Sequence, residues 1–421
     1  MIDTATNTVS TTIAVGSVSR EVAITPDGKT AYATNGGSDT VSVIDTATNT
    51  VSTTITVGNA PEGISITPDG TQSYVVNHND NTVSVIDTAT NTVTNTISVG
   101  DSPIGVGSFI QPAVFSFIYV ANSASDNISV INNYNYVVGS PITVGTTPSG
   151  IAVAPDNTTA YIANQGSNNV SVLNISSWTI TATIAVGTSS HGLAITPDGT
   201  KAFVANNGSG TVSVINTSTN TVAATVTVGS SPFGAAFTPD GTKAYITNSG
   251  SGTVSVINTS TNTVSATITV GSSPEGIAVT PDGAKAYTVN EGSDSVSVIN
   301  TSTNTVSGTI TVGNTPVGIA ISPDGSKAYV ANQGSGTVSV INTSNNTVSA
   351  TISVGNGPYG VSFSNDGTKA YVTNKTDDTV SVISTSTNTV TATITVGNSP
   401  VGASSQPPLT AAGIISDWFG A

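Results

Sequence analysis

No cysteine occurs among the 421 residues, so no disulfide framework, thiolate nucleophile or Cys-ligated zinc or iron–sulfur site can form. Basic residues are almost as scarce: 8 Lys and Arg face 23 Asp and Glu, for a net charge of −15. Such a chain repels phosphate backbones and has no basic footprint, which argues against nucleic acid as a partner. It contains no run of 18 apolar residues and therefore no membrane-spanning helix. Its first residues lack the charged, apolar, small-residue succession of a secretory signal. Charged residues make up only 7% of the chain against 37% hydrophobic, leaving Thr, Ser and Asn to supply the polar surface. That balance suits a β-rich protein and points to an extracellular or cell-surface setting.

What the sequence does have is repetition. Ile2, Ile44, Ile86, Ile131, Leu173, Ile215, Ile257, Ile299, Ile341 and Ile383 hold one equivalent position, spaced by 42 residues except for 45 between Ile86 and Ile131. A fixed period of this length marks one supersecondary unit copied many times. Because Met1-Ile2-Asp3 is in phase with Ile44-Asp45, the start reads as a trimmed boundary inside a repeat.

Within one unit, Gly63 to Thr67 alternates apolar with small polar residues and breaks at Pro68-Asp69-Gly70, defining a strand A and a turn. Tyr74-Val75-Val76 is strand B, ending at Asn77, and Thr82 to Ile86 is strand C. Val93 to Val99, rich in Thr and β-branched residues, is strand D, and Gly100 ends it. Four short antiparallel strands without helices predict an all-β propeller. Large apolar residues on one face of the inner strands and small ones on the other let neighbouring blades interdigitate. The count predicts nine four-stranded blades in residues 1–403 followed by a tail at 404–421; the alternative is a seven-blade ring with two repeats left over.

Ala328-Tyr329-Val330-Ala331-Asn332 and Ala370-Tyr371-Val372-Thr373-Asn374, each preceded by an Asp-Gly turn, resemble the YVTN-type β-propeller repeat of archaeal and bacterial surface-layer proteins. The likeness spans about residues 1–403. Relatives of that propeller include surface proteins without a known ligand, a lactonase, and copper- or quinone-dependent enzymes. His78 and His191 are the only histidines and occupy different repeat positions, so a histidine copper or zinc cluster cannot be assembled. No Gly-x-Ser-x-Gly nucleophile elbow is present. The expectation is no cofactor and no metal.

Asp27, Asp69, Asp156, Asp198, Asp240, Asp282, Asp324 and Asp366 recur after strand A and read as turn residues, one carboxylate per blade being too sparse for calcium. Asn35, Asn77, Asn122, Asn164, Asn206, Asn248, Asn290, Asn332 and Asn374 close all nine B strands, where an Asx side chain can satisfy turn amides. The middle residue of the Pro-x-Gly start of strand A varies instead: Arg20, Glu62, Ile104, Ser149, His191, Phe233, Glu275, Val317 and Tyr359. The resemblance puts this position near the mouth of the central channel. The nine are therefore either drifting exposed turns or a ligand-binding ring carried on a rigid scaffold.

The third unit departs most from the pattern, with Phe109, Ile110, Phe115 and Phe117 where other units have polar turns. Tyr134, Tyr136 and, one unit on, Trp178 form a candidate partner patch, with decay of one repeat as the competing explanation. Asn-Thr-Ser triplets such as Asn216-Thr217-Ser218 are potential glycosylation sites. One D-like strand is surplus, since 8–15 duplicates the role of 389–396. The expectation is that 8–15 closes the last blade and leaves 389–396 free for strand addition to another copy or partner.

The expected function is a non-enzymatic cell-surface scaffold, adhesion or protein- and glycan-binding module. The alternative is a lactonase-like hydrolase of small cyclic esters acting at the channel mouth. Ile104, Phe233, Val317 and Tyr359 in the ring weigh toward binding over chemistry.

Overall fold

A computed structural model of the chain describes residues 2–3, 8–67, 70–104, 117–133 and 135–405. The chain divides into two compact units, one around residues 1–114 and one around residues 115–408. Among the described residues nine four-stranded antiparallel sheets form, so the four-strand reading of the repeat holds, and the fold is a β-propeller. No helix among them is long and apolar enough to cross a membrane.

Seven of the nine sheets belong to the larger unit. Six are consecutive repeats covering 148–185, 190–227, 232–269, 274–311, 316–353 and 358–395, each running A to D from the inside outward. The remaining sheet is assembled from both ends of the unit. Phe117–Asn122, Asn127–Asn132 and Ile142–Thr143 supply its three outer strands and Pro400–Ser405 its inner one. Ile118 pairs with Ser405, Val120 with Ala403 and Asn122 with Pro400.

The seven inner strands are neighbours in a closed cycle, Pro400–Ser405 lying between Pro358–Phe363 and Pro148–Val153. The predicted nine-blade ring is therefore wrong and the seven-blade alternative is right for this unit. The physical reason is closure: Pro400–Ser405 satisfies the inner edge of Phe117–Asn122, and no edge is left for further blades. The predicted closure by 8–15 fails as well. Thr389–Thr395 keeps the outer position of its own blade, paired with Thr379–Ser384, so 8–15 does not displace it, and Thr8–Val9 pairs with Ile2–Asp3.

The core lies between blades. On one side of each interface stand a B-strand aromatic, two C-strand valines and a D-strand aliphatic; on the other stand the neighbour's small and branched residues. Tyr287, Val296, Val298 and Ile310 thus meet Ile319, Ala328, Val330 and Ile341. The closing interface repeats the pattern, with Tyr371, Val380, Val382 and Ile394 on Ile118, Val120 and Ile131. B-strand tyrosines also clasp the C–D turn of the adjacent blade: Tyr245 Oη donates to Asn304 Oδ1 at 2.9 Å and Tyr287 Oη to Asn346 Oδ1 at 2.7 Å. These asparagines adopt positive φ in the C–D turn, a conformation Asn tolerates better than branched residues.

The smaller unit holds two blades, with sheets Ser19–Ile24 to Thr50–Thr56 and Pro61–Ile66 to Thr92–Ser98. They share one interface of the same type, Tyr32, Val41, Val43 and Ile55 against Ile64, Val75 and Ile86. Ile13 and Val15 pack onto Ala31, Ala33 and Ile44 of the first sheet. Asp69, Phe109, Ile110, Phe115, Tyr134 and the tail from Gln406 lie outside the described residues.

Candidate active site

The turn aspartates behave as read. Asp198 Oδ1 accepts from Thr196 Oγ1 at 2.5 Å and from the Thr200 amide at 3.0 Å, and these bonds hold its carboxyl below the usual range. The strand-end asparagines chiefly brace strand B to strand C: Asn206 Nδ2 donates to Thr211 Oγ1 at 3.1 Å and to Ser213 Oγ at 3.0 Å, while Asn248 Oδ1 also accepts from the Gly229 amide at 3.1 Å as expected of a turn residue.

Trp178 is edge-on to Phe117 with ring centres 5.3 Å apart, and its ring centre is 6.2 Å from that of Tyr119. It stands where other blades carry the asparagine that receives the tyrosine hydroxyl, and replaces that bond with aromatic packing. Tyr136 packs against the closing interface, with Lys369 Nζ 4.8 Å above its ring. Both residues therefore belong to blade packing, although Trp178 keeps 38% exposure.

The variable Pro-x-Gly position does surround the channel of the seven-blade ring, in part. Ser149, His191, Phe233, Glu275, Val317 and Tyr359 are on six of its inner strands, and Val401, which is not one of the predicted nine because its repeat is partial, is on the seventh. Arg20, Glu62 and Ile104 are in the smaller unit; Arg20 and Glu62 face each other at 3.9 Å and Ile104 is exposed. Register shifts explain the placement. Strand A pairs with strand B at Ser190 and again from Leu193, so His191 and Gly192 are released from the ladder toward the channel.

A neck of glycines lies below. A Cβ on Gly276 would stand 2.6 Å from the Val317 carbonyl oxygen, and Gly150, Gly192, Gly234, Gly318, Gly360 and Gly402 stand closer still to the next strand's backbone. The seven inner strands can approach this closely only because no side chain intervenes. At the neck is a cavity of about 180 Å³ lined by these glycines together with residues that include His191, Phe233, Val317, Tyr359 and Val401. That is below the ~300–1,000 Å³ of drug-sized pockets, so it suits a small ligand.

The titratable groups stand around the mouth, His191 and Glu275 on alternate inner strands and Lys375 in the field of both. His191 lies against Phe233, ring centres 3.8 Å apart. Burial, with a smaller contribution from Lys375, pushes its pKa down to about 4, so the imidazole is neutral at pH 7. Glu275 is pushed up to about 8 by burial and by Glu291, with Lys375 opposing, so its carboxyl is largely protonated at pH 7. Lys375 Nζ sits 5.0 Å from the centre of the Tyr359 ring. Burial, then Glu275 and Glu291, raise the Tyr359 phenol, which stays a neutral donor.

Lys375 and Glu291 were missed in the sequence. They occupy the residue after the strand-B asparagine, which reads Gly36, His78, Ser123, Gln165, Asn207, Ser249, Glu291, Gln333 and Lys375. The same comparison between repeats, applied to that column, would have found them.

The fold is a seven-bladed propeller with titratable side chains around one mouth of its channel. A family model described as "Lactonase, 7-bladed beta-propeller" matches residues 3–111 and 185–352, and the chain belongs to that family. Of the surface-layer resemblance, the match supports the β-propeller repeat itself. No curated protein matches the chain. Among solved structures, a functionally unknown protein from Desulfotomaculum acetoxidans is 19% identical with a TM-score of 0.62, covering 70% of this chain and 99% of that one. A candidate 6-phosphogluconolactonase of Bacteroides fragilis is 16% identical with a TM-score of 0.61, over 70% and 99% of the two chains. A counterpart from Bacteroides uniformis is 16% identical with a TM-score of 0.60, over 69% and 100%.

The family corrects the expectation of a non-enzymatic scaffold or adhesion module. That expectation rested on a nine-member ring diluted by apolar residues. With seven blades Ile104 leaves the ring and Val317 is buried, while His191 and Glu275 are joined by Lys375.

Proposed function

We propose that the protein hydrolyses small cyclic esters at the channel mouth of its seven-blade ring. The observation that carries this is the pair of oppositely displaced titrations around one mouth, a histidine held neutral and a glutamate held protonated at pH 7. Pairs of groups whose surroundings drive their pKa values apart are the usual signature of a base and an acid in one site. His191 accepts a proton from water as it attacks the ester carbonyl carbon. Lys375 favours the negative charge that develops on the carbonyl oxygen. Glu275 gives its proton to the ring oxygen as the acyl C–O bond breaks, leaving a hydroxy acid. The proton taken by His191 returns through solvent to the glutamate. Water and lactone are consumed and no further reactant is needed.

The test is steady-state hydrolysis of a γ- or δ-lactone followed by pH-stat titration. His191→Ala and Glu275→Gln should each lower kcat by about 10²–10⁴-fold while circular dichroism stays unchanged. Activity requires His191 deprotonated and Glu275 protonated. The wild-type rate should therefore rise through about pH 4, hold, and fall through about pH 8. Full activity in both variants, or a profile still rising above pH 9, would remove the assignment.

A further inference from the structure

Resting on that hydrolase reading, we propose that the mouth selects a small uncharged lactone bearing an apolar or aromatic substituent and rejects phosphorylated sugar lactones. The argument begins from where the positive charge is. The eight basic residues of the sequence are Arg20, Lys29, Lys201, Lys243, Lys285, Lys327, Lys369 and Lys375. Arg20 and Lys29 belong to the smaller unit, near Glu62 and Asp27.

Five of the six lysines of the ring unit are committed to blade clasps far along strand B from the mouth. Lys201, Lys243, Lys285 and Lys327 donate to the carbonyls of Thr259, Thr301, Thr343 and Thr385, each at 2.7 Å. Lys369 donates to the Asn133 carbonyl at 2.9 Å. Lys375 alone is left for the mouth, and it already lies over the Tyr359 ring within the fields of Glu275 and Glu291.

A phosphate carries nearly two charges and is normally held by several cations, a forked guanidinium or a helix N-terminus. The ring unit contains no arginine. Its one helical turn among the described residues, Glu291–Ser293, begins on an acid. Two of the seven neck amides are already taken, Gly234 and Gly360 donating to Thr247 Oγ1 and Thr373 Oγ1, both at 2.8 Å.

What the cavity presents instead is apolar and planar: the stacked His191 and Phe233, the Tyr359 ring across the channel, and the buried Val317 and Val401. Those faces gain from an apolar substituent and leave a phosphate without partners. With 23 acids against 8 bases, the whole chain also repels a dianion on approach.

Binding and turnover separate this inference from the reading beneath it. Calorimetry on the full chain would compare a phenyl-substituted γ-lactam, which resists hydrolysis, with 6-phosphogluconate. The lactam should bind at least about 100-fold more tightly, the scale of a mismatch between charged ligand and apolar site. Glu291→Lys should narrow that ratio about 10-fold by removing one repulsive charge and adding an attractive one. Equal or tighter binding of the phosphate compound, no lactam binding at millimolar concentration, or a ratio unmoved by Glu291→Lys would overturn the selection. Turnover is then measured on the phenyl-substituted γ-lactone and on 6-phosphogluconolactone. If the lactam preference holds but neither lactone is hydrolysed, the hydrolase reading falls and the selection stands. Faster hydrolysis of the phosphorylated lactone leaves the hydrolase reading intact and removes the selection.

Discussion

Asn206 spans two strands with one amide, and its donors reach Thr211 and the buried Ser213 while Gly187 leaves it room. A Cβ on Gly187 would come within 2.6 Å of the Asn206 side chain, so the asparagine and the glycine before strand A are one packing unit. Replacing Asn206 with Ala removes both bonds and strands a buried hydroxyl, at a cost of about 2 kcal/mol. Urea unfolding should show the midpoint shifted down with an unchanged slope. A shift worth less than about 0.5 kcal/mol would mean that the hydroxyls find other partners. The recurrence of this residue was legible in the sequence, because every B strand ends in Asn. Its partners were not, since they lie on strand C at a distance that only sheet register defines. Lys375 and Glu291 were overlooked for the opposite reason: the information was present in the repeats but in an uncompared column.

At the level of elements, the four-strand unit could be read almost residue by residue, because alternation, the Pro-Asp-Gly turn and the terminal Asn mark each strand. The ring size could not, because nine similar units say nothing about which edges meet. The decisive element, Pro400–Ser405, is a lone A strand beyond the last full unit and is the inner strand of the first ring blade. Removing residues 400–421 should expose the inner edge of Phe117–Asn122 and the apolar surface that Val401 now covers. The expected outcome is a melting temperature lower by about 10 °C or more, given that losses of several kcal/mol move a transition by several degrees each. Deleting residues 1–16 should leave the melting of the ring unit unchanged, since that unit closes without them. If the two deletions exchanged these effects, the closure described by Ile118–Ser405 pairing would be wrong.

Across the whole molecule the charge is lopsided, with −15 spread over a surface that has few compensating cations. Ion pairs among the described residues are Arg20 with Glu62 at 3.9 Å and Lys29 with Asp27 at 3.8 Å, both partly or largely exposed. Salt therefore has little attraction to screen and considerable repulsion. Raising sodium chloride from about 10 mM to about 500 mM, which shortens the screening length from roughly 30 Å to a few Å, should raise the melting temperature by a few degrees. A fall would point to stabilising charge contacts that outweigh the net repulsion. Closure by the last strand also sets the order in which the ring can be completed during synthesis. At roughly 5–20 residues per second, tens of seconds separate the emergence of Phe117 from that of Ser405. Through that interval the first ring blade is a three-stranded sheet with a bare inner edge. Six further blades stack up while the ring cannot close. The nascent chain is most open to mispairing then, and the interval ends when the six residues of the closing strand emerge.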